Sequence, residues 1–214
     1  MQRVIQPEFL DLLPPEHPIA QANRRDILRF NQILGNFRWI EKILTQHLQK
    51  GDRILEIGAG EGWLAHHLTP LLQSRNVQMD GLDVSPRPSR WPENGQWIEQ
   101  RAQDFTDFAE YDGILACHFL HQLEDLELAR LGSHLQGSIR FLVATEPVRR
   151  TLSLVLIEAT RFLGMRSPSR HDARVSVRAG FTGEELARSL ALPSPPWTCR
   201  QQETLLGAYR FLAE

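Results

Sequence analysis

The sequence predicts an α/β fold: a three-layer, doubly wound sheet that is mostly parallel, with helices on both faces. Two observations carry this prediction. Strand and helix patterns alternate from residue 52 to residue 144, which is typical of the βαβ units that build parallel sheets. The conspicuous glycine and polar residues fall directly after predicted strands, where open parallel sheets bind their ligands. We also expect N-terminal helices, a helical lid and an antiparallel strand at the C-terminal edge.

Composition limits the possible classes. The 214 residues are enough for one large domain, and 42% hydrophobic with 23% charged residues is ordinary for a globular protein. A net charge of −2 argues against broad attraction to nucleic acid. No stretch approaches the about 20 apolar residues that span a bilayer, and the N-terminus lacks the apolar core of a signal peptide. We therefore expect no membrane span and a cytoplasmic location.

The cysteine and histidine pattern indicates neither a disulfide nor a metal. Cys117 and Cys199 are the two cysteines and lie far apart in the chain, and a disulfide is not expected in a reducing compartment. No Cys/His cluster has the spacing of zinc ligands.

The N-terminal region is predicted to be an irregular, proline-rich arm over residues 1–18, followed by helix. From about residue 19 to residue 48 apolar residues recur every three or four positions. Gly35 and Asn36 are expected to divide this segment into two helices. Gly51 and its neighbours end the second helix before the first strand.

The central and C-terminal elements follow in order. Strands are predicted at 53–57, 76–83, 97–100, 112–117 and 140–144, with helices at 63–72, 124–135 and 151–162. Residues 164–178 are predicted to be a basic, turn-rich loop, and Thr182 to cap a helix at 183–190. Segments 197–200 and 207–212 are predicted to close the chain as an antiparallel hairpin.

The run from Glu56 to Trp63 reads as the end of a buried strand, a glycine turn and the start of a helix. Glycines at 58, 60 and 62 let a ligand approach more closely than any Cβ would permit. The dinucleotide fingerprint places its third glycine one position later, and the chain has no Tyr-x-x-x-Lys pair, so a dehydrogenase is not favoured. Asp83 ends the second strand, where carboxylate oxygens can accept both hydroxyls of a ribose. These features together predict a nucleoside ligand.

The motif Glu56-x-Gly58-x-Gly60-x-Gly62 resembles the first motif of the class I S-adenosylmethionine (SAM) methyltransferases, whose fold is Rossmann-like. The resemblance implies that the turn packs against the methionine part of SAM and that Glu56 helps to hold a sulfonium or ammonium group. The alternative is a turn that serves only strand–helix packing. The cofactor-binding residues implied, for SAM and its product S-adenosylhomocysteine, are Glu56, Gly58, Ala59, Gly60, Gly62, Asp83, Val84, Asp104, Phe105 and Cys117.

Two further stretches match this family. Asp104 falls where an acid or amide meets the adenine amino group, with Phe105 as the apolar neighbour that covers the ring. A turn-initiating aspartate is the alternative for Asp104. Residues 111–123 resemble the fourth motif of small-molecule methyltransferases, with Cys117 where the family usually has Asn or Ser.

His118 and His121 are the candidate catalytic residues, because the resemblance places them near the point of methyl transfer. Either could orient the acceptor or take its proton. For His121, packing and a backbone hydrogen bond are an equally good explanation. Methyl transfer from a sulfonium can depend mostly on proximity and orientation, so the acceptor side of the site is less constrained than the cofactor side.

Residues 1–50 and 147–182 lie outside the minimal SAM-binding sheet and are expected to form the acceptor pocket. They resemble a bacterial subgroup of the family, and the candidate substrate-binding residues in them are Arg38, Trp39, Arg170 and His171. A solvated basic loop and ordinary core packing are the alternatives. The expected organisation is one methyltransferase domain over 1–214, with a helical cap (1–50), a SAM-binding core (51–146), a substrate lid (147–182) and a last helix with edge strands (183–214).

The resemblance therefore implies SAM-dependent methyl transfer to a small molecule. The expected chemistry is O-methylation of a phenolic or hydroxylated metabolite, or C-methylation of a quinone-like ring. The alternatives are transfer to protein or RNA, or a catalytically inactive SAM-binding partner subunit. We expect a monomer or homodimer that binds no nucleic acid.

Overall fold

A seven-stranded sheet with the order β3-β2-β1-β4-β5-β7-β6 forms the centre of the computed structural model, which describes residues 1–14 and 17–214. The strands are β1 (Arg53–Ile57), β2 (Gln78–Asp83), β3 (Trp97–Glu99), β4 (Gly113–Cys117), β5 (Phe141–Pro147), β6 (Cys199–Glu203) and β7 (Ala208–Ala213). Strands β1 to β5 pair in parallel, whereas β7 is antiparallel to both β5 and β6. The doubly wound sheet with an antiparallel C-terminal edge is thus confirmed, and the strand order reverses between β1 and β4.

Helices cover both faces of the sheet. They are α1 (Phe9–Leu12), α2 (Pro18–Leu34), α3 (Asn36–His47), α4 (Trp63–Arg75), α5 (Asp125–Leu135), α6 (Thr151–Ala159), α7 (Ser167–Ala179) and α8 (Glu185–Ser189). Because successive side chains of a strand point to opposite faces, the neighbours Ile54 and Leu55 enter two different apolar clusters. Every residue of β5 is buried, as expected for a strand enclosed on both sides.

The predicted break between the first two long helices lies at Gly35. Its φ of 65° is left-handed, and its N–H donates to the carbonyls of Asn31 and Gln32 at the end of α2. This geometry is the usual C-terminal signal of a helix, and α3 starts directly after it.

The N-terminal arm is more ordered than the sequence predicts, because α1 lies within it. Asp172 of α7 accepts hydrogen bonds from the backbone N–H groups of Phe9 at 2.9 Å and Leu10 at 3.1 Å, and so satisfies donors at the start of α1. Arg3 donates to the carbonyls of Ala179 and Leu123. The arm is therefore attached along α7.

The prediction of a basic loop at residues 164–178 is wrong, since α7 occupies most of this segment. Its buried face carries Ser169, Asp172, Val175 and Ala179 at helical spacing. The face is small and partly polar, so its period is not visible as an apolar pattern. The predicted cap at Thr182 is also not observed, because α8 begins at Glu185 after Glu184.

Within residues 1–14 and 17–214, no helix is both long enough and apolar enough to cross a bilayer.

Candidate functional site

A cavity of about 1190 Å³ opens at the carboxyl ends of β1, β2 and β4. It extends under the helices α2, α6 and α7, and reaches Glu8 and Leu10 of the arm. Cavities that bind drug-sized ligands measure about 300–1,000 Å³, so this one has room for a nucleoside and a second small molecule. Its position at the reversal of strand order is where doubly wound sheets bind ligands.

The glycine turn forms one wall of this cavity. The N–H groups of Gly58 and Ala59 donate to the Leu82 carbonyl at 2.8 and 3.3 Å, which joins the turn to the end of β2. Gly58 has a φ of +67°, and a Cβ there would stand 2.3 Å from the Phe119 ring. Gly60 has a φ of +50°, and the nearest atom to a Cβ there would be 4.0 Å away. Gly58 is thus required by packing, whereas Gly60 keeps open the space in front of the turn.

Asp83 lies beside the turn at the end of β2. Its Oδ2 accepts the N–H of Gly60 at 2.8 Å and its Oδ1 accepts the N–H of Ser85 at 2.8 Å. A carboxylate has about four lone-pair sites, so each oxygen retains capacity for a ligand hydroxyl. Val84 also lines the cavity and is 65% exposed.

Glu56 forms the floor of the site. Its side chain is buried, and its Oε2 has no hydrogen-bond partner among the described residues. Burial and the nearby Asp83 raise the pKa of this carboxyl well above its usual value. An enclosed carboxyl that lacks a partner and lines the cavity fits a cationic ligand group, as the sulfonium and ammonium groups of SAM would be.

The predicted adenine-binding pair does not lie at the cavity. Asp104 is exposed in a turn, where its N–H donates to the Arg101 carbonyl. Phe105 is buried among core aromatics, with its ring centroid 4.9 Å from that of Phe108. The preceding Ala102 and Gln103 line the cavity instead.

The end of β4 brings Cys117, His118 and His121 to the cavity. Burial raises the pKa of the Cys117 thiol above its ordinary value, which argues against a nucleophilic thiolate. The Cys117 Sγ accepts from Thr145 Oγ1 and donates to Asn31 Oδ1 at 3.4 Å. The Cys117 thiol therefore serves as a hydrogen-bonding group in the wall of the cavity.

The two histidines differ in charge. Burial lowers the pKa of His118 to about 4, so its imidazole is neutral near pH 7. Its Nε2 lies 3.2 Å from Asn36 Nδ2. For His121, burial alone would lower the pKa, but the hydrogen bond with Glu146 and the nearby carboxylate of Glu8 outweigh it and raise the pKa to about 9. His121 is thus a cation near neutral pH, and His118 is not.

The predicted substrate residues lie outside the cavity lining. Arg38 is exposed, and Trp39 packs under Arg210, whose guanidinium carbon is 5.6 Å from a Trp39 ring centroid. Arg170 donates to the Met165 carbonyl at 2.5 Å. His171 packs against Phe9, with ring centroids 4.5 Å apart.

Other polar residues do line or support the site, and the sequence reasoning did not single them out. Glu8, Asn23, Asn31 and Asp172 line the cavity, and Glu146 holds His121 through a 2.6 Å contact with Nδ1. Glu146 follows the same strand-end rule that identified Asp83, so that signal could have found it. Glu8 lies in an arm without periodicity, and nothing in its neighbourhood of the sequence marks it.

No group of three or more His, Cys, Asp or Glu side chains in the described part of the chain is arranged to hold a metal ion.

Comparisons with known proteins bear on the family and the fold. A family model described as a methyltransferase domain matches residues 25–172. The plantazolicin methyltransferase BpumL, solved with a triazolic desmethylPZN analog and SAH, superposes with a TM-score of 0.73 at 13% identity, covering 95% of this chain and 92% of that one.

Two other solved structures share the fold. A protein of Nostoc punctiforme proposed to be an O-methyltransferase has a TM-score of 0.61 at 13% identity, covering 99% of this chain and 64% of its own. The methyltransferase domain of bacterial CtHen1-C has a TM-score of 0.60 at 14% identity, covering 83% and 95%. A comparison with curated proteins gave no significant match.

Proposed function

The chain belongs to the methyltransferase domain family, and from this premise we propose that it is an enzyme that methylates a small molecule with SAM as the donor. The observation that carries the proposal is the meeting of buried Glu56, the glycine turn and Asp83 at one wall of one cavity. When bound, SAM supplies a methyl group on a sulfonium. Because sulfide is a good leaving group, positioning the acceptor is the main task of the protein.

Different residues of the chain are assigned to different parts of the cofactor. Glu56 is assigned to the cationic end, because its unpartnered oxygen is enclosed. Asp83 is assigned to the ribose hydroxyls, and the open space before Gly60 admits the ligand. Gln103 takes the adenine-side role that the sequence suggested for Asp104, since Gln103 lines the cavity.

The acceptor side of the cavity is mostly apolar. Leu10, Ile27, Phe30 and Ile157 contribute to its walls, which suits an aromatic or aliphatic body. The acceptor is a phenolic or hydroxylated metabolite, methylated on oxygen, or a quinone-like ring, methylated on carbon. His118 and His121 are assigned to orienting this acceptor, one neutral and one charged.

Calorimetry with S-adenosylhomocysteine tests the cofactor site directly. We expect a dissociation constant of micromolar order for the wild-type protein. Asp83→Ala removes both acceptor oxygens and should weaken binding at least about tenfold, the effect of losing hydrogen bonds to a charged group. Asp83→Asn preserves shape and one acceptor oxygen, and should lose less. Equal affinity in all three proteins would remove the ribose assignment.

Turnover separates the acceptor classes. Labelled SAM is incubated with the protein and, separately, a phenol, a quinone-like ring and RNA. Label transferred to the phenol or the ring supports the proposal. Transfer to RNA alone, or binding of the cofactor without transfer to any acceptor in a cell extract, would contradict it.

A further inference from the structure

A row of three side chains, Glu146, His121 and Glu8, lies at the acceptor end of the cavity. His121 is 2% exposed, and its Nδ1 lies 2.6 Å from Oε2 of Glu146. Its Nε2 lies 3.6 Å from Oε1 of Glu8, a residue of the N-terminal arm. Glu146 also accepts the backbone N–H groups of Phe119 and Leu120 at 3.1 and 2.8 Å. The imidazole is therefore held firmly on one side and more loosely on the other.

The Nε2 atom of His121 is the less firmly held side of the imidazole ring. It is buried and has no hydrogen-bond partner among the described residues, and 3.6 Å exceeds the range of a good hydrogen bond. Leaving a buried donor unpaired is unfavourable. Both His121 and Glu8 line the cavity, and we expect a ligand oxygen inserted beside Glu8 to satisfy this donor.

Glu8 is held in place by the lid. Its Oε1 accepts a hydrogen bond from the Ser176 hydroxyl of α7, and the adjacent Phe9 N–H is held by Asp172. Asp172 itself is engaged with Asn23 and with two backbone N–H groups of the arm. Glu8 is thus the carboxylate that the arm presents beside Nε2.

The charges of His121 and Glu8 determine which chemical group can bind between them. Protonated His121 donates from Nε2, and a carboxylate oxygen of Glu8 accepts. A group bound between the two must accept one hydrogen bond and donate another. A hydroxyl does both, whereas an ammonium cannot accept and a ketone or ether cannot donate.

We propose, as an extension of the function proposed above, that Glu8 and His121 bind the acceptor hydroxyl and that Glu8 receives its proton during methyl transfer. The hydroxyl oxygen forms the new O–C bond as the S–C bond of the donor breaks, and that electron pair stays on sulfur. The O–H proton moves to Glu8, while His121 keeps its proton and its hydrogen bond to the oxygen. The products are a methyl ether and S-adenosylhomocysteine. The substrate class is an apolar molecule with one hydroxyl at this end.

His118 is less suited to receive the proton. Its Nε2 already faces the Asn36 amide at 3.2 Å, and its ring centroid lies 6.4 Å from that of His121. The remaining charged neighbour of the row, Glu146, is occupied on the far side of His121.

The test uses 2-naphthol and its methyl ether, 2-methoxynaphthalene, as probes of the hydroxyl site. Binding of each is measured by calorimetry to the whole protein saturated with S-adenosylhomocysteine. We expect the wild-type protein to prefer 2-naphthol at least about tenfold, because the ether cannot donate to Glu8. In Glu8→Ala this preference should disappear. Glu93→Gln removes a carboxylate on an exposed loop and should retain the preference.

The experiment distinguishes failure of the hydroxyl site from failure of the proposed function. S-adenosylhomocysteine binding, measured first in every sample, reports the cofactor site alone. If that binding is normal but the wild-type protein binds 2-naphthol and the ether equally, or binds neither, the hydroxyl site is wrong. A preference that survives in folded Glu8→Ala removes Glu8 from the site. As a second readout, 2-naphthol turnover by Glu8→Gln should rise with pH through the ionisation of the naphthol itself, and a wild-type profile in this variant would overturn the proton transfer.

Discussion

At the residue scale, the Glu56 carboxyl is enclosed by the sheet while its Oε2 lacks a hydrogen-bond partner among the described residues. Burial and the neighbouring Asp83 raise its pKa well above the ordinary value. A cation placed against this group stabilises the charged form and lowers the pKa again. Under the proposed function, cofactor binding would therefore be linked to loss of a proton from Glu56.

We predict that S-adenosylmethionine binding to the wild-type protein releases protons when the pH lies below the raised pKa of Glu56. The measurement is calorimetry in buffers of different ionisation enthalpy, whose slope gives the number of protons released. In Glu56→Gln the release should vanish and affinity should fall. Glu61→Gln changes a carboxylate on the same turn and should retain the release. No slope in the wild-type protein would contradict the assignment of Glu56.

His118 and His121 illustrate what sequence can reach at this scale. Their position after the fourth strand was sufficient to place both at the cavity. Their opposite pKa shifts depend on partners far away in the chain, Glu8 and Glu146 for His121. Such contacts across the fold cannot be inferred from local spacing, so the division of roles required the structure.

At the element scale, the glycine turn combines two different demands. Gly58 is required because a Cβ would stand 2.3 Å from the Phe119 ring, and Gly60 because of its φ of +50° and the open space before it. A left-handed conformation costs about 1–2 kcal/mol for a residue with a Cβ. A clash in packed surroundings adds about 1–3 kcal/mol.

We predict that Gly60→Ala lowers the free energy of unfolding by about 1–2 kcal/mol and that Gly58→Ala lowers it by about 2–5 kcal/mol. Urea unfolding monitored by fluorescence measures both. Gly60→Ala should also weaken S-adenosylhomocysteine binding, because its methyl group enters the cavity. Gly137→Ala is the control for backbone conformation alone, since its φ of +72° is left-handed and nothing lies within 4 Å of its Cβ position. Equal costs at Gly58 and Gly137 would contradict the packing argument.

The N-terminal arm is the second element with a testable role. Arg3 donates to the carbonyls of His121, Leu123 and Ala179, and Val4 N–H donates to the Arg178 carbonyl. Removing the guanidinium leaves these carbonyls without that donor and loosens the segment that positions Glu8.

We predict that Arg3→Ala increases amide hydrogen exchange at Val4, Phe9 and Leu10 at least about tenfold, since each lost hydrogen bond contributes about 1 kcal/mol. Exchange in β1 and β4 should be unchanged. Arg25→Ala, on an exposed position of α2, serves as the matched control. Unchanged exchange in the arm would show that Arg3 does not hold it.

The elements also show where prediction from sequence ends. Strands β1 to β5 were predicted because short apolar segments flanked by turn residues can be recognised in the sequence alone. Helix α7 was missed because its buried face contains the polar residues Ser169 and Asp172, and the hydrogen bonds that Asp172 accepts from the arm are not visible in the sequence. The order within the arm was missed for the same reason, since α1 is held by that same Asp172.

At the scale of the whole molecule, the buried histidines link stability to pH in opposite directions. The folded pKa of His121 is raised from 6.5 to about 9, so its stabilising contribution is fully present below pH 6.5 and is lost as pH rises through 9. The folded pKa of His118 is lowered from 6.5 to about 4, so its contribution is present above pH 6.5 and is lost as pH falls through 4. Their combined contribution is therefore largest near pH 6.5.

We predict that the free energy of unfolding falls by about 3 kcal/mol or less between pH 6.5 and pH 9.5, since one pKa unit corresponds to about 1.4 kcal/mol. Urea unfolding across this range measures it. Glu146→Gln removes the main partner of His121, so the variant should be less stable at pH 6.5 and its stability should depend less on pH above that value. His66→Asn, at an exposed histidine, should retain the wild-type dependence. If Glu146→Gln keeps the full loss between pH 6.5 and pH 9.5, the alkaline decline does not come from His121, and the charge assigned to the acceptor end of the cavity is wrong.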